Sequence, residues 1–176
     1  MTPTDPVEVE MEPRIESPAM SVPGAMAALQ RLSAVTKHHG DVPESTLLLV
    51  ALRASQINGC SVCCDMHSRE LKVLGASDER IYTLAAWREA SYFSDAERAA
   101  LALTEAATRL ADRPDPVPDE VWDQAARHYD EAQLAALVLS IASINAWNRI
   151  NATTRQITGE WVTQFIPGAQ PAPAAA

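Results

Sequence analysis

Cysteine is scarce in this chain, and what there is sits in one place. Of 176 residues, 3 are cysteine, and they occupy positions 60, 63 and 64. Thiols spaced that closely cannot close the long loops through which structural disulfides restrain an unfolded chain. Aromatic residues are also few, at 5%. A core must therefore be built from aliphatic and alanine side chains, and alanine is the strongest helix former. No apolar run approaches the roughly 20 residues that a membrane-spanning helix needs. Positive charge is in deficit, with 14 Lys and Arg against 23 Asp and Glu and a net charge of −9. An acidic surface repels nucleic-acid phosphates and anionic lipid, so neither nucleic acid nor membrane is an expected partner. The opening residues, MTPTDPVEVEMEPRIE, lack the basic start and apolar stretch of a secretion signal. The expected compartment is the cytoplasm, where thiols stay reduced.

What is present reads as helix after helix. With 47% apolar residues, the length fits one domain that buries a core without staples. Prolines gather at the ends. Residues 1–20 are expected to be a flexible arm, 21–160 an all-α bundle of about seven helices, and 161–176 a flexible tail. The first helix is expected over 24–38, stopped by Gly40, with His38 and His39 complementing its C-terminal dipole. The second begins after Asp41 and carries Leu47 to Leu52, a run too continuous for a surface helix. Asn58-Gly59 breaks it. A third is expected over 60–74 and a fourth over 78–90, capped by Ser77. Ser94-Asp95-Ala96-Glu97 is a capping box that starts a fifth, to about 111. A short sixth covers 119–128. A long seventh follows Asp130, over 131–154. The apolar excess of 47–57 and 134–147 suggests that some of this surface lies between subunits.

The cysteines carry the chemistry. At about 100° per residue, Cys60, Cys63, Cys64 and His67 fall within roughly 100° of one helical face. Cys63 and His67 are i and i+4, where side chains meet. The break at Asn58-Gly59 puts Cys60 at a helix start, beside unpaired N–H groups and the positive dipole end, which favours thiolate. A histidine one turn on can take a proton from Cys63. Other readings of the same residues stay open. Cys60, Cys63 and His67 are plausible zinc ligands, although a structural zinc wants four, and no metal or other cofactor is expected here. The thiols can also be buried and inert, and Cys64 reads as a packed bystander.

The stretch Arg53-Ala-Ser-Gln-Ile-Asn-Gly-Cys60-Ser-Val-Cys63-Cys64-Asp-Met-His67 resembles the active-site segment of the AhpD-like alkylhydroperoxidases, in the carboxymuconolactone decarboxylase superfamily. Leu84-Ala-Ala-Trp87-Arg-Glu89 and Ile144-Asn145-Ala-Trp147-Asn148-Arg149 agree, and the likeness runs over about residues 20–155. It implies an all-α fold and homo-oligomers, commonly trimers or hexamers. It also implies peroxide reduction, with Cys63 as the peroxidatic thiol, Cys60 as proton donor and resolving thiol, and His67 in the proton relay. The electron donor it implies is a dithiol, of lipoyl type or another thiol carrier.

Two positions depart from the resemblance. Twelve residues before the first cysteine the family carries a relay glutamate, and this chain has Leu48. Glu44, one turn earlier, is a possible substitute, though capping near Asp41 is its simpler role. Between the cysteines, where a histidine can occur, stand Ser61 and Val62. The alternatives from other classes are a decarboxylase acting on a carboxylated lactone, which needs no cysteine pair, and a non-catalytic dithiol redox sensor.

Overall fold

The computed structural model describes residues 11–37, 39–112 and 114–169. Their regular structure is entirely helical, with no strand among the described residues. In chain order the α-helices are α1 (Pro18–Ser21), α2 (Ala25–Lys37), α3 (Glu44–Asn58), α4 (Ser61–Val73), α5 (Asp78–Thr83), α6 (Asp95–Thr108), α7 (Asp119–Ala126) and α8 (Glu131–Thr154). Short 3₁₀ turns cover Leu84–Ala86, Leu110–Asp112 and Glu160–Phe165.

The strongest local signals set the boundaries. Ser94 and Glu97 form the expected capping box at the start of α6. Asp130 and Gln133 form a second at the start of α8. Each satisfies two donors that a helix start otherwise leaves unpaired. Gly59 ends α3 in the left-handed region, at φ 67°, where a side chain would be strained. Gly40 also has a positive φ, 77°. A Cβ there would lie 2.8 Å from the Ala132 carbonyl oxygen, so the start of α8 can approach only a glycine.

The fourth helix is shorter than expected. α5 stops at Thr83 and gives way to the 3₁₀ turn. The Arg98 guanidinium holds the stretch that follows. It donates to the carbonyls of Trp87, Arg88 and Ala90, and its Nε donates to that of Phe93. Backbone carbonyls left over in the irregular stretch after α5 are met by one fixed cation. The call on His38 lies outside the described residues.

α3 is the central element, packed against α4, α6 and α8. Every residue from Thr46 to Leu52 is buried, which is why its sequence shows no polar stripe. Its apolar side chains feed three clusters. One joins Leu47 and Val50 to α6, α7 and α8. A second joins Leu48, Leu49 and Leu52 to Leu71, Leu84, Trp87 and Phe93. The third joins Ala51 and Ala54 to both Cys60 and Cys63, Ile144 and Val162.

The packed chain extends past both expected limits. Arg14 donates from its backbone to the Thr154 carbonyl and from its side chain to that of Thr153. Val162 and Ile166 are buried. They belong to residues assigned from composition to a tail, but an apolar side chain on a short turn can be claimed by a neighbouring core. No described helix is long and apolar enough to cross a membrane.

Candidate active site

α3 and α4 meet at the Asn58-Gly59-Cys60 corner, and this corner builds the site. The Cys60 N–H donates to the Ser55 carbonyl at 3.0 Å, tying the new strand of chain to the helix it has left. Cys60 itself is the N-cap of α4 rather than its first helical residue. Its sulfur accepts the Cys63 N–H at 3.3 Å. A thiol thus fills the place that Ser or Asp usually takes at a helix start. Cys60 and Cys63 are joined in a disulfide, with Cα atoms 5.4 Å apart. Both sulfurs therefore sit at the positive end of the α4 dipole, which stabilises a thiolate there.

The pair is deeply placed. Cys60 is 1% exposed and Cys63 4%. Asn151 of α8 donates from Nδ2 to the Cys63 sulfur at 3.5 Å. Behind the corner lies a polar core. Asn58 donates to the side-chain oxygens of Asn145 and Asn148, each at 2.9 Å. Asn148 donates to Ser55 Oγ at 3.0 Å, and Asn145 to Thr108 Oγ1 at 3.1 Å. Arg149 donates to Asn145 Oδ1 at 3.0 Å, so its recorded partner lies within the chain. Among the described residues no buried side-chain N or O lacks a partner. A satisfied network of this kind holds the corner in one geometry.

Cys64 does not join the pair. It packs against the Leu48, Leu52 and Leu71 cluster, and burial pushes its thiol pKa up. An elevated thiol is mostly protonated and a poor nucleophile.

His67 stands one turn beyond Cys63. Its recorded hydrogen bond is to neither sulfur. Nδ1 meets Glu70 Oε2 at 2.6 Å. Glu70 in turn lies 3.6 Å from Lys37 Nζ, and Lys37 lies 3.5 Å from Glu44. Burial pushes the Glu70 carboxyl up, but the His67 hydrogen bond and charge and the Lys37 ammonium outweigh it, and the group ends below the usual range. Glu44 thus reaches Lys37 rather than the histidine. Leu48 is 3% exposed within an apolar cluster. Among the described residues no three His, Cys, Asp or Glu side chains converge as metal ligands would.

Glu70 and Asn151 went unnoticed in the sequence. Both had a signal: Glu70 is i+3 from His67, and Asn145, Asn148 and Asn151 recur every third residue on α8, close enough to share a face.

Comparison with known proteins places this corner in context. The profile of the carboxymuconolactone decarboxylase family matches residues 23–106. The uncharacterized protein YdfG of Bacillus subtilis is 40% identical over 129 residues, covering 73% of this chain and 86% of that protein. The alkyl hydroperoxide reductase AhpD of Solibacter usitatus is 41% identical over 68 residues, covering 39% of this chain and 36% of that protein. Among solved structures, ATU0492 of Agrobacterium tumefaciens superposes with a TM-score of 0.78 at 30% identity, over 84% of this chain and 99% of that one. It is described as a protein of unknown function and a putative antioxidant defence protein AhpD. The debrominase Bmp8 shares the fold at 22% identity and a TM-score of 0.68, over 81% of this chain and 75% of that one. The helical scaffold around α3 and α4 is common ground with these proteins, and the chain belongs to the AhpD-like carboxymuconolactone decarboxylase superfamily.

Proposed function

We propose that the protein is a thiol-dependent peroxidase of the alkylhydroperoxidase type, cycling Cys60 and Cys63 between dithiol and disulfide. The observation that carries this reading is the Cys60–Cys63 pair at the α4 N-terminus, with the Cys60 sulfur against the Cys63 N–H. One hydrogen bond and one dipole there act on two adjacent sulfurs.

The chemistry runs in three balanced steps. The Cys63 thiolate attacks the terminal oxygen of a hydroperoxide, the O–O bond breaks, and the leaving alkoxide takes a proton to become an alcohol. Cys63 is left as a sulfenic acid. The Cys60 sulfur then attacks the Cys63 sulfur, the S–O bond breaks, and water leaves with the disulfide formed. A dithiol donor, of lipoyl type or another thiol carrier, returns two electrons and two protons and leaves as its own disulfide. His67 is one helical turn from Cys63, and its imidazole moves the proton to and from that sulfur through a bridging water. Asn151 Nδ2 donates to the Cys63 sulfur and favours its anionic form.

The test is peroxide-dependent oxidation of an added dithiol by wild type, Cys63→Ser and Cys60→Ser. Turnover is expected to vanish in the first variant and to be impaired in the second. Equal turnover in all three proteins would reject the reading.

A second reading, a dithiol redox sensor without turnover, is favoured by one specific observation: Leu48 stands buried in an apolar cluster where the relay carboxylate was expected. Reversible disulfide formation with no catalytic consumption of peroxide would select it. The proposal also takes the protein to act in the cytoplasm as a homo-oligomer. Leu32 and Val35 of α2 and Val138 and Leu139 of α8 remain exposed, and they supply apolar surface for contact between copies. A monomer by light scattering at micromolar concentration would remove that part.

A further inference from the structure

We propose that Glu70 is the positioning residue for His67, supplying from α4 the carboxylate that Leu48 of α3 does not. This rests on the peroxidase reading for its consequence, but not for its geometry. The Glu70 carboxylate meets Nδ1 of His67 at 2.6 Å and is kept ionised by His67 and by Lys37, 3.6 Å away. An ionised carboxylate can only accept, so Nδ1 must carry the proton. In the neutral ring Nε2 is then the free base. A carboxylate behind an imidazole selects the tautomer, orients the ring and stabilises the imidazolium that forms when a proton arrives. Lys37 is itself held by Glu44 at 3.5 Å, so α2 and the start of α3 steady the carboxylate from the far side. Glu70 and His67 lie one turn apart on the same helix, α4.

The experiment compares wild type, Glu70→Gln and Glu70→Asp in the reduced form. Nitrogen-15 spectra of His67 report the tautomer, iodoacetamide reports Cys63 thiolate reactivity across pH, and dithiol-dependent peroxide consumption reports turnover. The Nδ1–H tautomer is expected to dominate in wild type and to lose population in Glu70→Gln. The Cys63 reactivity profile is expected to shift with it, and turnover to fall roughly 10- to 100-fold, with Glu70→Asp recovering part of each. An unchanged tautomer ratio and reactivity profile in Glu70→Gln would overturn the proposal. If wild type consumes no peroxide, the peroxidase reading fails alone, and the tautomer and thiol readouts still decide the role of Glu70.

A separate observation carries a second inference. The cysteine sulfurs are buried, yet a reductant must reach one of them along the S–S axis. We infer that the turn Glu160–Phe165 is a lid over the pair. Val162 on this turn is 0% exposed and shares the apolar cluster of Cys60 and Cys63. The turn is latched to α4 at its rim: Arg69 donates to Glu160 at 2.8 Å, and Thr158 Oγ1 donates to Asp65 Oδ2 at 2.6 Å. Arg69 and Asp65 are paired with each other at 2.7 Å. Rim contacts of this kind hold weakly, as a part that must open requires. The test is the rate of disulfide reduction by dithiothreitol in wild type, Arg69→Ala and Val162→Ala. Loosening the rim is expected to raise the rate about two- to fivefold, and removing the apolar plug to raise it as well. Rates equal to wild type in both variants would overturn the lid.

Discussion

Two half-buried glutamates on helices packed against α3 show how differently the same side chain can be used. Glu105 of α6 accepts from Arg53 at 2.7 Å, from the Trp87 indole at 2.9 Å and from Arg88 at 2.7 Å. Burial pushes its carboxyl up, and these donors more than cancel that. Guanidinium and indole groups are donors only, so the Glu105 cluster is static. Glu70 has the same balance of burial against partners, but its closest partner is a histidine, whose ring can carry both a donor and an acceptor nitrogen. One carboxylate ties α3, α6 and the Trp87 segment together. The other holds a group that can exchange protons with its surroundings. What separates the two is the kind of donor each one faces.

Point substitutions separate the two glutamates. The largest effect is expected on the Glu70 side, where Cys63→Ser abolishes peroxide-dependent dithiol oxidation while the melting temperature stays close to wild type. Next comes Leu48→Glu. It places a carboxylate at a site 3% exposed among leucines and is expected to cost about 3 kcal/mol or more in chemical denaturation. A gain in peroxide turnover from this variant would show instead that the position can reach the histidine. On the static side, Glu105→Gln is expected to lose about 2 kcal/mol, or roughly 4 to 8 °C in melting temperature for a chain of this length. Turnover per folded molecule should be unchanged, the reverse of the pattern expected for Glu70→Gln.

Acid sharpens the comparison further. Both carboxylates are held below the usual glutamate range. Their contribution to stability is therefore complete above that range and is lost as pH falls through their lowered folded values. Glu105→Gln should flatten the acid limb of the stability curve, read by denaturant midpoints between pH 5 and about 2. The smallest effect belongs to Cys64→Ser. Its thiol is raised by burial and packed away from the pair. Turnover should match wild type, with a stability loss of about 1 kcal/mol from the hydroxyl placed in apolar surroundings.

The sequence showed some of this plainly and concealed the rest. Ser94 with Glu97, Asp130 with Gln133, and Asn58-Gly59 are local signals whose hydrogen bonds or backbone demand lie within a few residues, and the helix ends fall where they indicate. α5 gives way to a 3₁₀ turn at Leu84, and the irregular chain that follows is held by a cation from α6, Arg98, a contact no local pattern contains. The cysteine pair and its helix start were readable because Cys60, Cys63 and the break at Gly59 are contiguous. Asn151 at the Cys63 sulfur and Val162 over the pair come from some 90 to 100 residues further along the chain, and only tertiary packing brings them in. Glu70 lies i+3 from His67 on the same helix, a spacing legible in the sequence.

The most direct test is stoichiometric. Reduced protein is mixed with one equivalent of an organic hydroperoxide, and the products are read by intact mass, peptide mapping and alcohol yield. The account predicts one alcohol formed per chain, a loss of two hydrogens from the protein, and a disulfide that maps to Cys60 and Cys63 with Cys64 still free. Reduced protein that leaves the hydroperoxide unconsumed, or that is oxidised at Cys64 instead, would contradict it.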